Sequence, residues 1–186
     1  GNVLVQNLLD VGHAVVSYDN LLFNNQHCIL HKIHNPNYQF VFGDMLDTVE
    51  LEKALSDVDK VVLLAGLVGD PITKKYPSES ALINDQGVKN VIDTCARINI
   101  RNFIFISTCS NYGLIENDDL ADEKFQLNPL SLYAKSKVNA EKYLLSLDGK
   151  TGMNPTILRF ATAFGMSPRM RFDLTISEFT RDLAIG

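Results

Sequence analysis

Apolar positions recur along this chain with two distinct spacings. From Asn2 to Leu9 they fall at Val3, Leu4, Val5, Leu8 and Leu9, the stripe of an amphipathic helix, and Gly12 then ends it. His13 to Tyr18 (HAVVSY) is a short β-rich run that stops at Asp19-Asn20. Leu21 to Pro36 is polar, holds three of the four histidines and reads as a loop. Tyr38 to Phe42 predicts a strand ending at Gly43-Asp44. Thr48 to Asp57 predicts a helix that turns Leu51, Ala54 and Leu55 inward. Strands are expected at 59–65, 102–106 and 155–160, and helices at 79–99, 130–147 and 172–183.

Strands separated by helical crossovers imply a parallel sheet with helices on both faces. The run at 59–65 is apolar almost throughout, as expected of a strand covered on both faces. The fold class is therefore α/β, a doubly wound parallel sheet of Rossmann type. Residues 1–186 read as one domain with no internal repeat and no low-complexity linker. In this architecture ligands bind outside the carboxyl ends of the strands. Small or polar groups stand at five of those ends: Asp19; Gly43, Asp44 and Met45; Ala65 and Gly66; Ser107 and Thr108; Ala161 and Thr162.

Composition narrows the function classes. The chain has 186 residues, 46% hydrophobic and 21% charged, with a net charge of −5. That is ordinary globular usage and lacks the basic footprint of a nucleic-acid binder. The longest apolar stretch, Val61 to Val68, is far short of a membrane span. The amino end has no basic stretch before its apolar residues and so does not read as a secretory signal. Cys28, Cys95 and Cys109 are an odd number without a CxxC pair, which argues against a disulfide framework and a zinc site and suits a reducing, cytoplasmic setting. Cys95 reads as a core residue. His27, His31 and His34 lie in the polar loop without companion acids and read as solvated rather than metal-binding. Residue 1 is not Met and already sits inside a helical pattern, so a fragment is expected.

Three features carry chemistry. Asp19, after a strand, can hydrogen-bond the ribose hydroxyls of NAD and repel a 2′-phosphate; the competing reading is a plain Asp-Asn turn. Tyr133 and Lys137 are four apart on an expected helix and share one face, so the ammonium can stabilise a phenolate and make the tyrosine a general acid/base. The competing reading is a chance pair on an exposed helix, because the pattern is short. Ser107-Thr108, at a strand end upstream of the tyrosine, is the third feature.

Taken in order, the segments DNL (Asp19 to Leu21), GDMLD (Gly43 to Asp47), LLAG (Leu63 to Gly66), NDQGVKN (Asn84 to Asn90), FISTCSNYG (Phe105 to Gly113), PLSLYAKSK (Pro129 to Lys137) and LRFATAFG (Leu158 to Gly165) resemble the extended short-chain dehydrogenase/reductase family of sugar-nucleotide epimerases, dehydratases and reductases. The resemblance spans nearly the whole chain. It implies NAD as cofactor and a nucleotide-linked sugar as substrate. Tyr133 would move the proton of a sugar hydroxyl, Lys137 would bind the nicotinamide ribose and tune Tyr133, and Thr108 would hydrogen-bond the same sugar oxygen. The implied cofactor set is Gly1, Asp19, Asn20, Asp44, Met45, Ala65, Gly66, Ser107, Tyr133, Lys137 and Phe160. The implied substrate set is Thr108, Ser110, Thr162, Arg169 and Arg171. For Arg169 and Arg171, bidentate contact with a diphosphate competes with simple loop charge.

Two departures refine this picture. Family dehydratases follow the active-site threonine with Asp-Glu, whereas Thr108 is followed by Cys109-Ser110, which disfavours elimination of water. Thr162 stands where many relatives carry Asn. The family's GxxGxxG loop is not visible; Gly1 looks like its third glycine, and the substrate lobe is expected beyond residue 186. A fragment of this kind is expected to be inactive alone. An NAD-dependent epimerase working through a transient keto sugar is the leading expectation. A 4-keto-sugar-nucleotide reductase and a non-catalytic dinucleotide-binding module stay open. No nucleic-acid or membrane partner is expected, and a homodimer stays open.

Overall fold

The computed structural model describes residues 1–115 and 120–186. Its elements run α1 (Asn2–Asp10), β1 (Val15–Asp19), β2 (Tyr38–Phe42), α2 (Thr48–Leu55), β3 (Lys60–Leu63), α3 (Asp70–Lys75), α4 (Pro77–Ala81), α5 (Val88–Arg97), β4 (Asn102–Thr108), α6 (Leu132–Ser146), β5 (Asn154–Phe160) and α7 (Thr175–Ile185). Every strand pairing is parallel. The strands form two ladders, β1-β2 and β3-β4-β5, which share no strand. The result is the α/β, Rossmann-type arrangement of parallel sheets and flanking helices that the alternation predicts. Among the described residues no helix is long and apolar enough to cross a membrane.

The chain divides into two compact units. The first comprises Gly1–Phe42 and Thr162–Gly186 and holds α1, β1, β2 and α7. Here the expected loop after Asp19 contains two short 3-10 turns, Gln26–Cys28 and Leu30–Lys32, and these bury Cys28 and Lys32. The Lys32 ammonium sits 3.1 Å from the Cys28 carbonyl and 2.8 Å from His31 Nε2, and burial pushes its pKa down. Sequence pattern alone reads such a lysine as solvated, because its burial depends on local turns that have no periodicity.

The second unit, Gly43–Ala161, holds the three-stranded sheet with α2 to α6. Its core centres on β4, where Phe103 and Phe105 are fully buried on one face, and on α5, where Val88, Val91, Ile92 and Cys95 recur at helical spacing. Cys95 is fully buried and its thiol is pushed up to about 12 by desolvation, as a core cysteine should be. The expected helix at 79–99 is built as α4, a π-helical segment over Leu82–Gly87, and α5. An unexpected short helix, α3, precedes it, with Pro71 in its first turn, where proline's missing N–H costs nothing. β3 is shorter than the apolar run suggests. Val61 and Val62 are only half-buried and Leu64 is 39% exposed, so cover on both faces is not found. β3 is one of the two edge strands of its ladder, which leaves it less enclosed than the middle strand β4.

Candidate active site

Parallel pairing puts the carboxyl ends of β3, β4 and β5 on one edge of the three-stranded sheet. β4 is the middle strand, and its last three residues each have a separate attachment. The Ile106 carbonyl accepts a hydrogen bond from Lys137 Nζ at 2.8 Å. The Ser107 hydroxyl donates to Glu141 Oε1. Thr108 caps a 3-10 turn, Cys109–Tyr112, by accepting from the Ser110 N–H at 3.2 Å.

α6 supplies the facing groups. Ser131 caps it, accepting from the Ala134 N–H at 3.1 Å. Its buried stripe runs Ala134, Lys137, Val138, Glu141 and Leu144, at intervals of three and four. Two charged residues therefore lie on the core face. Lys137 is 6% exposed, and its ammonium stands 4.6 Å from the Phe105 ring centroid and 5.8 Å from that of Tyr133. Burial lowers its pKa to about 8, against the opposing pull of Glu141. Tyr133 is half-buried one turn earlier. Thr108, Tyr133 and Lys137 thus belong to one compact unit, with Lys137 bonded to the strand that presents Thr108.

The remaining expected site residues fall as follows. Asp19 ends β1 and is exposed, and its Oδ1 accepts the Leu21 N–H at 2.7 Å in an Asx turn. The turn reading of Asp19-Asn20 is therefore realised, and Asn20 Oδ1 likewise accepts from the Leu22 N–H at 3.2 Å. An ionised carboxylate has about four acceptor positions, so the turn does not exhaust Asp19. Gly1 is the N-cap of α1. Asp44 Oδ1 accepts the Leu46 N–H at 2.9 Å. Met45 is buried beside Gly87, and its carbonyl accepts from Asn90 Nδ2 at 2.7 Å. Ala65 is exposed after β3, and Gly66 has φ +146°. A Cβ on Gly66 would lie 2.9 Å from Asn84 Oδ1, so the backbone there passes too close for a side chain. Ser110, Phe160 and Thr162 are exposed. Arg169 lies over the Phe23 ring at 4.3 Å, and Arg171 makes a fork to Asp173 with Nη2 at 2.6 Å. Gly1, Asp19, Asn20, Thr162, Arg169 and Arg171 belong to the first unit and the others to the second.

Pattern reading passes over four residues here. Glu141 is 1% exposed and binds Ser107, Asn111 and Arg159. Asn84 holds the loop after β3 by accepting from the Leu67 N–H at 2.8 Å and donating to the Leu67 carbonyl at 2.9 Å. The signal for Glu141 was present: it repeats the Lys137 position one turn on, so an acid falls on the inward stripe.

The whole chain is similar to known proteins. Residues 1–184 match the NAD dependent epimerase/dehydratase family. An uncharacterized UDP-glucose epimerase of Bacillus subtilis (strain 168) is 30% identical over 97% of this chain and 58% of its own length. A putative UDP-glucose 4-epimerase of Methanocaldococcus jannaschii is 28% identical over 89% of this chain and 53% of its own. The chain thus spans about half the length of the curated relatives it matches. Among solved structures, the UDP-glucuronic acid 4-epimerase of Bacillus cereus in complex with UDP-glucuronic acid and NAD aligns with a TM-score of 0.87 at 27% identity, over 100% of this chain and 60% of that one. The UDP-glucose 4-epimerase of Brucella ovis in complex with NAD aligns at 0.79 and 26% identity, over 93% and 50%. With a match over nearly its full length and a fold shared with these enzymes, the chain belongs to the NAD-dependent epimerase/dehydratase family.

Proposed function

We propose that this chain is the cofactor-binding part of an NAD-dependent epimerase acting on a nucleotide-linked sugar, with Tyr133 as acid/base. The observation that carries the reading is the joint placement of Thr108, Tyr133 and Lys137 at the carboxyl end of the middle strand. Relatives and structural neighbours bearing the names of UDP-sugar 4-epimerases, several in complex with NAD, support it.

The residues present fit a dinucleotide. The Lys137 ammonium spends one described N–H on Ile106, keeping donors for a ribose hydroxyl. Asp19 stands after β1 as an acceptor for ribose hydroxyls and repels a 2′-phosphate, which favours NAD over NADP. When bound, NAD supplies the hydride acceptor and donor. The chain's own groups handle the proton. Lys137, charged below a pH of about 8, favours the phenolate form of Tyr133. The phenolate takes the proton of the sugar hydroxyl as that carbon becomes a ketone and, after the sugar turns, returns it to the same oxygen as the carbon is reduced on its opposite face. Thr108, its hydroxyl within 3.2 Å of Ser110 Oγ, orients the same sugar oxygen.

The test is Tyr133→Phe in the full-length protein, assayed with NAD and a panel of UDP-sugars. Turnover should fall by about 10³-fold or more, far beyond any loss of NAD affinity, because the proton carrier is removed. Undiminished turnover would remove Tyr133 from the mechanism. Stoichiometric consumption of a reduced nicotinamide would replace epimerase by reductase, and equal binding of NADP would remove the Asp19 assignment.

A further inference from the structure

Below the Thr108–Tyr133–Lys137 set lies a buried polar cluster that the proposed mechanism does not use. Ser107 and Arg159 are register partners across β4 and β5, so their side chains stand on the same face of the sheet. α6 covers that face and brings Glu141 to both. The Ser107 hydroxyl donates to Oε1; Arg159 Nε lies 3.1 Å from each carboxylate oxygen and Nη2 2.7 Å from Oε2. Asn111, from the turn that Thr108 caps, donates to Glu141 at 2.7 Å and to Ser107 at 3.0 Å. Arg159 Nη1 closes the cluster on the Tyr112 hydroxyl at 3.1 Å. Glu141 and Asn111 are essentially inaccessible to solvent, and the Arg159 side chain is 17% exposed.

We propose that Glu141 is a positioning residue for the catalytic set: it fixes the strand end and the turn that flank Thr108 and sets a carboxylate, paired with Arg159, one helical turn from Lys137. This rests on the catalytic reading above. Two physical facts support it. First, consecutive residues of β4 are tied to consecutive turns of α6, Ile106 to Lys137 and Ser107 to Glu141, so strand and helix cannot slide without breaking both bonds. Second, a lysine this buried loses its proton readily unless a negative charge is near, and Glu141 is the acid that raises its pKa. Among the described residues, the titratable groups that face Lys137 are Tyr133 and Glu141 of α6, and Glu141 is in turn paired with Arg159 of β5, which reaches Tyr112 of the turn. β4 contributes a ring and a carbonyl.

The experiment compares Glu141→Gln and Arg159→Gln in the full-length protein. Both remove buried partners, so a purely structural role predicts parallel losses of stability and nothing more. The proposal predicts opposite electrostatic effects on Lys137. Its proton affinity, read by NMR of ¹³C-methylated lysine and needing no turnover, should fall about three- to tenfold in Glu141→Gln and rise in Arg159→Gln. The alkaline limb of the kcat profile should move the same two ways. Equal or absent shifts in two folded variants overturn the proposal. If either variant does not fold, Glu141→Asp and Arg159→Lys, which keep the charges but shorten or reshape the contacts, must lower kcat at least threefold with the Lys137 titration kept; unchanged kcat overturns it. A Tyr133→Phe protein with full turnover would instead remove the catalytic reading and leave the Lys137 titration to stand or fall separately.

Discussion

Lys137 shows what a single residue costs and contributes. Its folded pKa of about 8 lies below the ordinary 10.5, so between those values the folded chain holds fewer protons here than the unfolded chain. Stability therefore rises with pH across that window, and the penalty for burying the charge is fully felt below about 8. The shift corresponds to about 3 kcal/mol, offset in part by a hydrogen bond to Ile106 worth about 1 kcal/mol. Lys137→Met should accordingly stabilise the protein by about 1–2 kcal/mol at pH 7 while abolishing turnover. The gain should shrink as the pH approaches 10.5. Thermal denaturation at pH 7 and 10 checks this; a variant less stable than wild type at pH 7 would contradict it.

At the scale of elements, the turn after β4 sets the site's shape. The 3-10 turn Cys109–Tyr112 ends at Gly113, whose φ is +74°. A Cβ there would lie 2.3 Å from the Asn128 carbonyl oxygen, a backbone atom, and the neighbouring Asn128 N–H is itself bound to the Asn111 carbonyl at 2.9 Å. Neither partner can give way without opening the turn that carries Asn111 and follows Thr108. Gly113→Ala should cost about 2–4 kcal/mol, from positive-φ strain together with the clash. Chemical denaturation measures the cost, and a loss below 1 kcal/mol would show that the turn is softer than drawn. The π-helical segment before α5 has a comparable role: it delivers Asn84 to both polar groups of Leu67 and so shapes the strand end at Gly66.

Across the molecule, order should be unequal between the two units. The large apolar side chains Phe103, Phe105, Ile92 and Leu144, all fully buried, belong to the second, whereas the first relies on a two-stranded ladder with Val16 and Phe42 exposed at 37% and 69%. Two-stranded ladders are marginal by themselves, and amide protection follows local burial. Hydrogen exchange should therefore be slowest in β4 and α5 and at least tenfold faster in β1 and β2. Protection in β1 equal to that in β4 would refute the ranking.

Apolar patterning was enough to place the five described strands and the long helices, because a helix repeats its apolar residues at 3.6 and a strand shows them as an alternating or an unbroken run. The Tyr133–Lys137 pair was legible for the same reason, since four residues make one helical turn. Order along the chain identified the family. Tertiary structure alone decided how deeply each of these groups is buried and what it touches. Lys137 became a desolvated ammonium because β4 offers Ile106 and Phe105 to it. Arg159 became the partner of Glu141 because β5 pairs with β4 in a register that sets it beside Ser107. Those contacts join residues far apart in sequence, and no local spacing encodes them; they follow from strand register and from the face of α6 that the core selects.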